Sequence, residues 1–341
     1  MGRHSKQAAA GPGRAPRLTA AFDPRENSLN ALRLLLACAV LASHSWQFAR
    51  DESDPVGRLA DGPDLGDVSV DGFFLISGFL ITRSQLRASS TGRYLWHRFL
   101  RIVPGFWVCL LATAFVLAPV LWWLERDTLA GYPWLGADSA LTYVAVNGAV
   151  RMNQFNIGDL QGGAALDGSL HTLFFEMLCY LLIAALGALG VLRRRRWLVL
   201  VAAAAFTVVA AVEAIVPGDV LATTYTVRWT GVFLVGSTMF LYGEHIPLTR
   251  PLTAAAVLLV AVAVAVPSAY LALAPAAFGY LLLHAGTSPR LARVAVRRDL
   301  SYGIYIYAWP LQLICSKRGQ TPGDSPAIWS PRSRPRPSRR C

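Results

Sequence analysis

Apolar runs of about twenty residues recur along this chain, and several of them stop at knots of arginine. A run of that length, wound as an α-helix, matches the hydrocarbon core of a bilayer. The runs cover about residues 28–48, 68–86, 103–124, 168–192, 197–216, 223–243, 251–267, 269–285 and 300–315. Charged residues make up 15% of the sequence, against about 25% in an ordinary soluble domain. The pattern predicts an all-α fold, a polytopic transmembrane helix bundle with about nine spans.

The charges between the runs assign sides. The loop after the first run is acidic (Asp51, Glu52, Asp54, Asp61, Asp64, Asp67), and the next is basic (Arg83, Arg87, Arg93, His97, Arg98, Arg101). Basic loops stay in the cytoplasm, so the N-terminus is expected inside and the acidic loop outside. The Arg193–Arg196 run and the loop 286–299, with Arg290, Arg293, Arg297 and Arg298, fall on the cytoplasmic side by parity. The net charge of +12 is therefore read as topogenic, and nucleic-acid binding is excluded. Between the third and fourth runs, residues 125–167 are of mixed polarity, and their "ALTYVAVNGAV" is too short to cross.

Residues 1–27 read as a disordered, basic cytoplasmic extension and 28–315 as the transmembrane domain. Residues 316–341 are a Pro/Ser/Arg-rich tail with no helical or core pattern. Nine crossings would leave this basic tail outside, against the charge rule. The tail is therefore read either as a plain disordered tail or, the preferred reading, as a disordered frameshifted or otherwise aberrant end in place of a tenth, inward helix. The cysteines at 38, 109, 179, 315 and 341 have no metal-ligand spacing, and no metal site is expected.

Ionisable groups inside the membrane are costly unless paired or hydrated, so each marks a candidate site. Arg33 and His44 lie eleven residues apart in the first run, about three helical turns and roughly 16 Å along one face. Snorkelling to the interface accounts equally well for Arg33, and a helix-end position for His44. Asp71, in "VDGFFLISGFLIT", falls at a depth comparable to His44, where a carboxylate would fix the histidine tautomer. Gly72, Ser77 and Gly78 beside it suit close helix packing. Arg98 and Arg101, in "RFLRIVP", point the same way and suit a phosphate-bearing ligand, with topogenic charge as the alternative. Glu176 lies two turns into the fourth run, with Tyr180 one turn further on the same face. "DLSYGIYIYAWPLQ" carries an aromatic stripe through Tyr302, Tyr305 and Trp309, with a helix break expected at Pro310.

In this order, "LRLLLACAVLASH", "DGFFLISGFLI", "RFLRIVP", "GSLHTLFFE…Y" and "SYGIYIYAWPLQ" resemble the acyltransferase-3 family of polytopic membrane O-acyltransferases over about residues 28–312. The resemblance implies a multi-pass enzyme of the cell (inner) membrane. Such an enzyme takes an acyl group, usually acetyl, from acyl-CoA as co-substrate, with no bound cofactor. The acceptor is a hydroxyl on a carbohydrate, a cell-envelope glycan or a small natural product. Carried onto this chain, the resemblance makes His44 the catalytic base, with Glu176 and Asp71 as supporting polar groups. Arg98, Arg101 and Arg33 are assigned to the acyl donor, and His171, Tyr180 and Tyr305 to an acceptor pocket. His171 and Phe174 stand where the family usually has tryptophan and proline, and no soluble esterase-like extension follows. A glycan exporter using the same polar residues, or an inactive truncated copy of the enzyme, is the alternative reading.

Overall fold

The structure, a computed structural model, describes residues 15–50, 53–59, 62–215, 224–288 and 299–318. Nine long helices occupy the positions expected from the apolar runs. They are α1 (Leu29–Arg50), α2 (Leu65–Arg87), α3 (Thr91–Arg126), α4 (His171–Ala188), α5 (Trp197–Ile215), α6 (Thr224–Leu241), α7 (Arg250–Ala265), α8 (Tyr270–Gly286) and α9 (Ser301–Arg318). Among the described residues five segments are long and apolar enough to cross a membrane: Leu29–Ala49, Leu65–Arg87, Thr91–Arg126, His171–Ala188 and Pro267–Gly286. Helices α5 and α7 are apolar but shorter. No strand forms among the described residues, only an isolated bridge between Arg17 and Pro247.

Helix α2 is the hub, packed against α1, α4, α6 and α8. It approaches α6 backbone to backbone. A Cβ added at Gly78 would lie 2.0 Å from the Phe233 carbonyl oxygen, and one at Gly236 would lie 2.1 Å from that of Leu75. Only glycine permits this approach, and Ser237 adds a hydrogen bond of 3.3 Å to the Gly78 carbonyl. Gly78 thus has the packing role expected of it. Ser77 instead donates to Glu176 at 3.3 Å.

Two expectations need correction. Pro310 does not break α9 but lies inside it. A proline leaves the carbonyl four residues earlier without its helical partner. Here that carbonyl, on Ile306, accepts the Cys109 thiol at 3.3 Å, so the helix continues. Second, residues 15–27 are not a loose extension. Leu18 is buried, its N–H donates to Ile246 O at 2.9 Å, and the Arg17 guanidinium donates to His245 O at 2.9 Å. Residues 1–14, the loop 289–298 and residues 319–341, where most of the expected tail falls, lie outside the described residues.

Segment 127–167 has its own irregular fold around the short helix Ala140–Asn147. Asp127, Asp138, Val150, Asp159 and Gln161 adopt positive φ, and all described non-glycine residues that do so fall in this segment. Such angles are costly, most of all for β-branched valine. Buried Asn147 holds the turn, its side-chain oxygen accepting from the Asn153 and Gln154 N–H groups at 2.7 and 3.0 Å.

Candidate active site

Helices α1, α2, α4 and α9 converge on a line of polar side chains, and α3 closes one end of it. At that end Arg33 on α1 and Arg101 on α3 share the carboxylate of Asp299, which immediately precedes α9. Arg101 is 2.5 Å from Asp299 and Arg33 is 3.6 Å away. Burial opposes ionisation of Asp299, but the Arg33 guanidinium, the Ser301 hydroxyl and Arg101 together hold its pKa below the usual carboxylate range. Arg33 is 8% exposed and lies across the Phe73 ring, so it is a buried, paired charge and does not snorkel.

One turn of α4 completes this end. Tyr180 donates to Glu176, which also accepts from Ser77. The Tyr180 carbonyl accepts from the Tyr94 hydroxyl at 3.1 Å. Arg98 rests on the faces of these two tyrosines, 6.0 Å from the Tyr94 centroid and 5.8 Å from that of Tyr180. Its Nε is buried without a hydrogen-bond partner among the described residues. Three guanidiniums therefore gather around two carboxylates, and one of the three is held by aromatic faces alone. Tyr180, assigned to the acceptor pocket by the resemblance, belongs to this arginine end.

A cavity of about 40 Å³ opens beside the cluster, lined by Arg33, Ser77, Glu176 and Tyr302 among others. It abuts a second cavity of about 140 Å³ lined by both candidate histidines, together with Gln47, Asp64, Asp67 and Trp309. Val70, Thr172 and Tyr305 line both. At this junction the Thr172 hydroxyl donates to Ser169 O at 3.0 Å, which leaves Tyr305 to donate to Thr172 across 2.8 Å.

In the second cavity His44 packs edge-on against Trp309, centroid to centroid 4.6 Å. Trp309 is fixed by its indole N–H on Ala165 O at 3.0 Å. A Cβ at Gly168 would come within 2.8 Å of the same ring, so only glycine leaves the indole its place. The His44 Nδ1 is buried and has no hydrogen-bond partner among the described residues. His171 is oriented differently, its Nδ1 2.6 Å from the Gly168 carbonyl. A carbonyl only accepts, so Nδ1 carries the proton and a neutral His171 keeps its lone pair on Nε2. At the rim, burial and neighbouring Asp67 push the Asp64 carboxyl up to about 6, against the pull of the Asp67 N–H.

Asp71 does not join His44, contrary to expectation. Its carboxylate takes a two-pronged contact from Arg228 on α6, at 2.9 and 3.1 Å, and the Tyr270 hydroxyl at 3.0 Å. An intramembrane carboxylate needs a cation, and Arg228 supplies it before a histidine can. Arg228 also reaches Asp67 at 3.3 Å. The structure thus brings His44, His171 and Tyr305 to one cavity and Arg33, Arg98, Arg101, Glu176 and Tyr180 to the other end. Arg228 and Asp299 are not among the residues expected from sequence. Arg228 lies within the sixth apolar run, where the rule that flags Asp71 flags it too, whereas Asp299 looks like an ordinary loop acid.

A family model described as an acyltransferase domain matches residues 26–331. The O-acetyl transferase of Shigella phage Sf6 is 26% identical over 311 residues, covering 85% of this chain and 86% of its own. Nodulation protein 10 of Rhizobium leguminosarum bv. viciae is 28% identical over 311 residues, covering 82% and 81% respectively. No solved structure matches.

Proposed function

The chain belongs to the acyltransferase-3 family of membrane O-acyltransferases, and from that premise we propose that it carries an acetyl group from acetyl-CoA to a hydroxyl of a carbohydrate, cell-envelope glycan or small natural product. One observation carries the reading. The cavity beside the arginine cluster and the histidine cavity share Val70, Thr172 and Tyr305 in their linings, so a ligand gripped at one end reaches the other once the Tyr305–Thr172 pair is displaced.

In this reading the arginine end faces the cytoplasm and takes the phosphates of the donor. Arg98 and Arg101 supply charge-assisted hydrogen bonds, and Arg33 sits where the donor's arm enters the bundle. The arm passes Tyr305 and presents its thioester beside His44. His44 takes the proton of the acceptor hydroxyl as the oxygen attacks the thioester carbon. The carbon–sulfur bond then breaks, the ester leaves, and the imidazolium returns the proton to the CoA thiolate. Glu176 and Tyr180 hold the neighbouring arginines in place.

The test uses membrane vesicles holding wild-type or His44→Ala protein, supplied with labelled acetyl-CoA. A positioned general base is worth ~10²–10⁴-fold, so labelling of envelope glycan is expected to fall at least about 100-fold. Acetyl-CoA should still protect the variant from heat denaturation. Undiminished labelling removes His44 from the chemistry. Absence of protection in the wild type favours an exporter of glycans, which has no use for acyl-CoA.

A further inference from the structure

Segment 127–167 contains a polar cleft separate from both cavities above, of about 410 Å³, lined by Asp138, Asn153, Gln154, Phe155, Asn156 and Asp159. Its hydrogen bonding is one-sided. Every side-chain amide N–H₂ is spent on the backbone: Asn153 on Val146 O and Arg151 O, Gln154 on Ser139 O and Asn156 O, Asn156 on Leu160 O and Ala164 O. The oxygens are not. The Asn156 Oδ1 is buried with no partner. The Asn153 and Gln154 side-chain oxygens and both carboxylates accept no side-chain or backbone hydrogen bond among the described residues. A buried acceptor without a donor, as at Asn156, is costly, and native structures rarely retain one without a reason, whereas Asp138, Asn153 and Asp159 present their oxygens at the exposed surface. Among the described residues the side-chain groups of the cleft left without a protein partner are all acceptors, so its complement is a ligand rich in donors.

Size and composition narrow the class. Small-molecule sites run to about 300–1,000 Å³, and this cleft falls in that range and is far larger than one ion requires. A dehydrated divalent cation also draws on 6–8 close oxygens, and no cluster of three metal-ligating side chains forms among the described residues. Phe155 adds an apolar wall, suited to the C–H face of a sugar ring. The two carboxylates repel anions.

The cleft is wired to the histidine cavity. Asn156 bonds to Ala164 O, the next carbonyl, of Ala165, holds the Trp309 indole, and that ring packs on His44. We propose that this cleft is an anchoring subsite for a neutral or amino-sugar oligosaccharide, which it grips through the sugar hydroxyls while another residue of the same glycan reaches His44. The link to His44 rests on the acyl-transfer reading, but the sugar-binding cleft itself does not.

The test is equilibrium binding to detergent-solubilised full-length protein, with maltotetraose, chitotetraose, chitosan tetrasaccharide and tetragalacturonate as probes. Oligosaccharides released from cell-envelope polysaccharide form a further probe set. The variant is Asp138→Asn/Asp159→Asn, because asparagine accepts the left-handed backbone at both positions while removing the charge and adding donors. A neutral or amino-sugar probe is expected to bind the wild type and His44→Ala alike. The double variant should bind it at least tenfold more weakly, with heat protection by acetyl-CoA unchanged. Binding of tetragalacturonate in preference to the neutral probes overturns the proposal. So does binding of no neutral or amino-sugar probe, or binding that the double variant leaves intact. Stabilisation by calcium alone, lost in the double variant, would make the cleft a cation site and also overturn it. Failure of the acyl-transfer reading shows instead as no labelling by the wild type and no heat protection by acetyl-CoA, with oligosaccharide binding preserved.

Discussion

The arginine end and the histidine end of the polar line lie in one helix bundle yet follow opposite rules. At the arginine end the charges are permanent. Arg33 and Arg101 share Asp299, and Arg98 sits on Tyr94 and Tyr180. The histidine end gathers groups whose protonation can change: His44 with an orphaned Nδ1, His171 with a fixed tautomer, and Asp64 titrating near neutrality. Fixed positive charge suits holding an anion, and groups able to gain or lose a proton suit chemistry on a hydroxyl. The two ends thus differ in electrostatic character before any ligand binds.

Several substitutions break or sharpen this contrast. The largest effect is expected from Arg98→Ala/Arg101→Ala. Hydrogen bonds to charged groups are worth ~1.5–3 kcal/mol each, so losing two should raise the KM for acetyl-CoA about 100-fold or more. The change in kcat should be much smaller, the reverse of His44→Ala. Steady-state kinetics that show both variants lowering the same parameter would remove the distinction between the ends.

A smaller effect is expected at the junction. Tyr305→Phe deletes the hydroxyl that bonds Thr172, a contact worth about 1 kcal/mol, or roughly fivefold. Acyl transfer should change by about that factor, with acetyl-CoA binding intact, as read by transfer assays alongside heat protection. An unchanged rate would mean that the donor's arm does not pass this point.

The last effect falls on stability and not on transfer, and concerns Asp167, beside the Gly168–Trp309 contact. Burial pushes its carboxyl up to about 8, only partly offset by the Cys109 thiol and nearby N–H groups. It therefore stays protonated in the fold where the unfolded chain would ionise it. Its contribution to stability is full below about pH 4 and disappears as pH rises through about 8. Asp167→Asn should fold, and its melting temperature should fall less between pH 5 and pH 8 than that of the wild type. Parallel melting curves in detergent across that range would contradict the protonated state.

Helix positions were legible in the sequence because apolar length is a property of the chain itself. The α4 turn that joins Glu176 to Tyr180 was legible for the same reason, since i and i+4 share a face whatever surrounds them. Partner choice was not. Asp71 and His44 lie at similar depth, but depth does not say which helix stands between them. Arg228 arrives from α6, 157 residues away in sequence, and only tertiary packing gives it the carboxylate. Segment 127–167 was the least legible part. It has no apolar period, and its path depends on left-handed residues such as Val150 that local propensity argues against.

The junction at Tyr305 and Thr172 has a consequence outside catalysis. The membrane this chain is expected to occupy holds an ion gradient, which a continuous file of water between two polar cavities would discharge. Between turnovers the hydroxyl pair stands in the gap, backed by Val70. A pair of side chains held by a hydrogen bond separates the two cavities, so a ligand long enough to occupy both has to displace it.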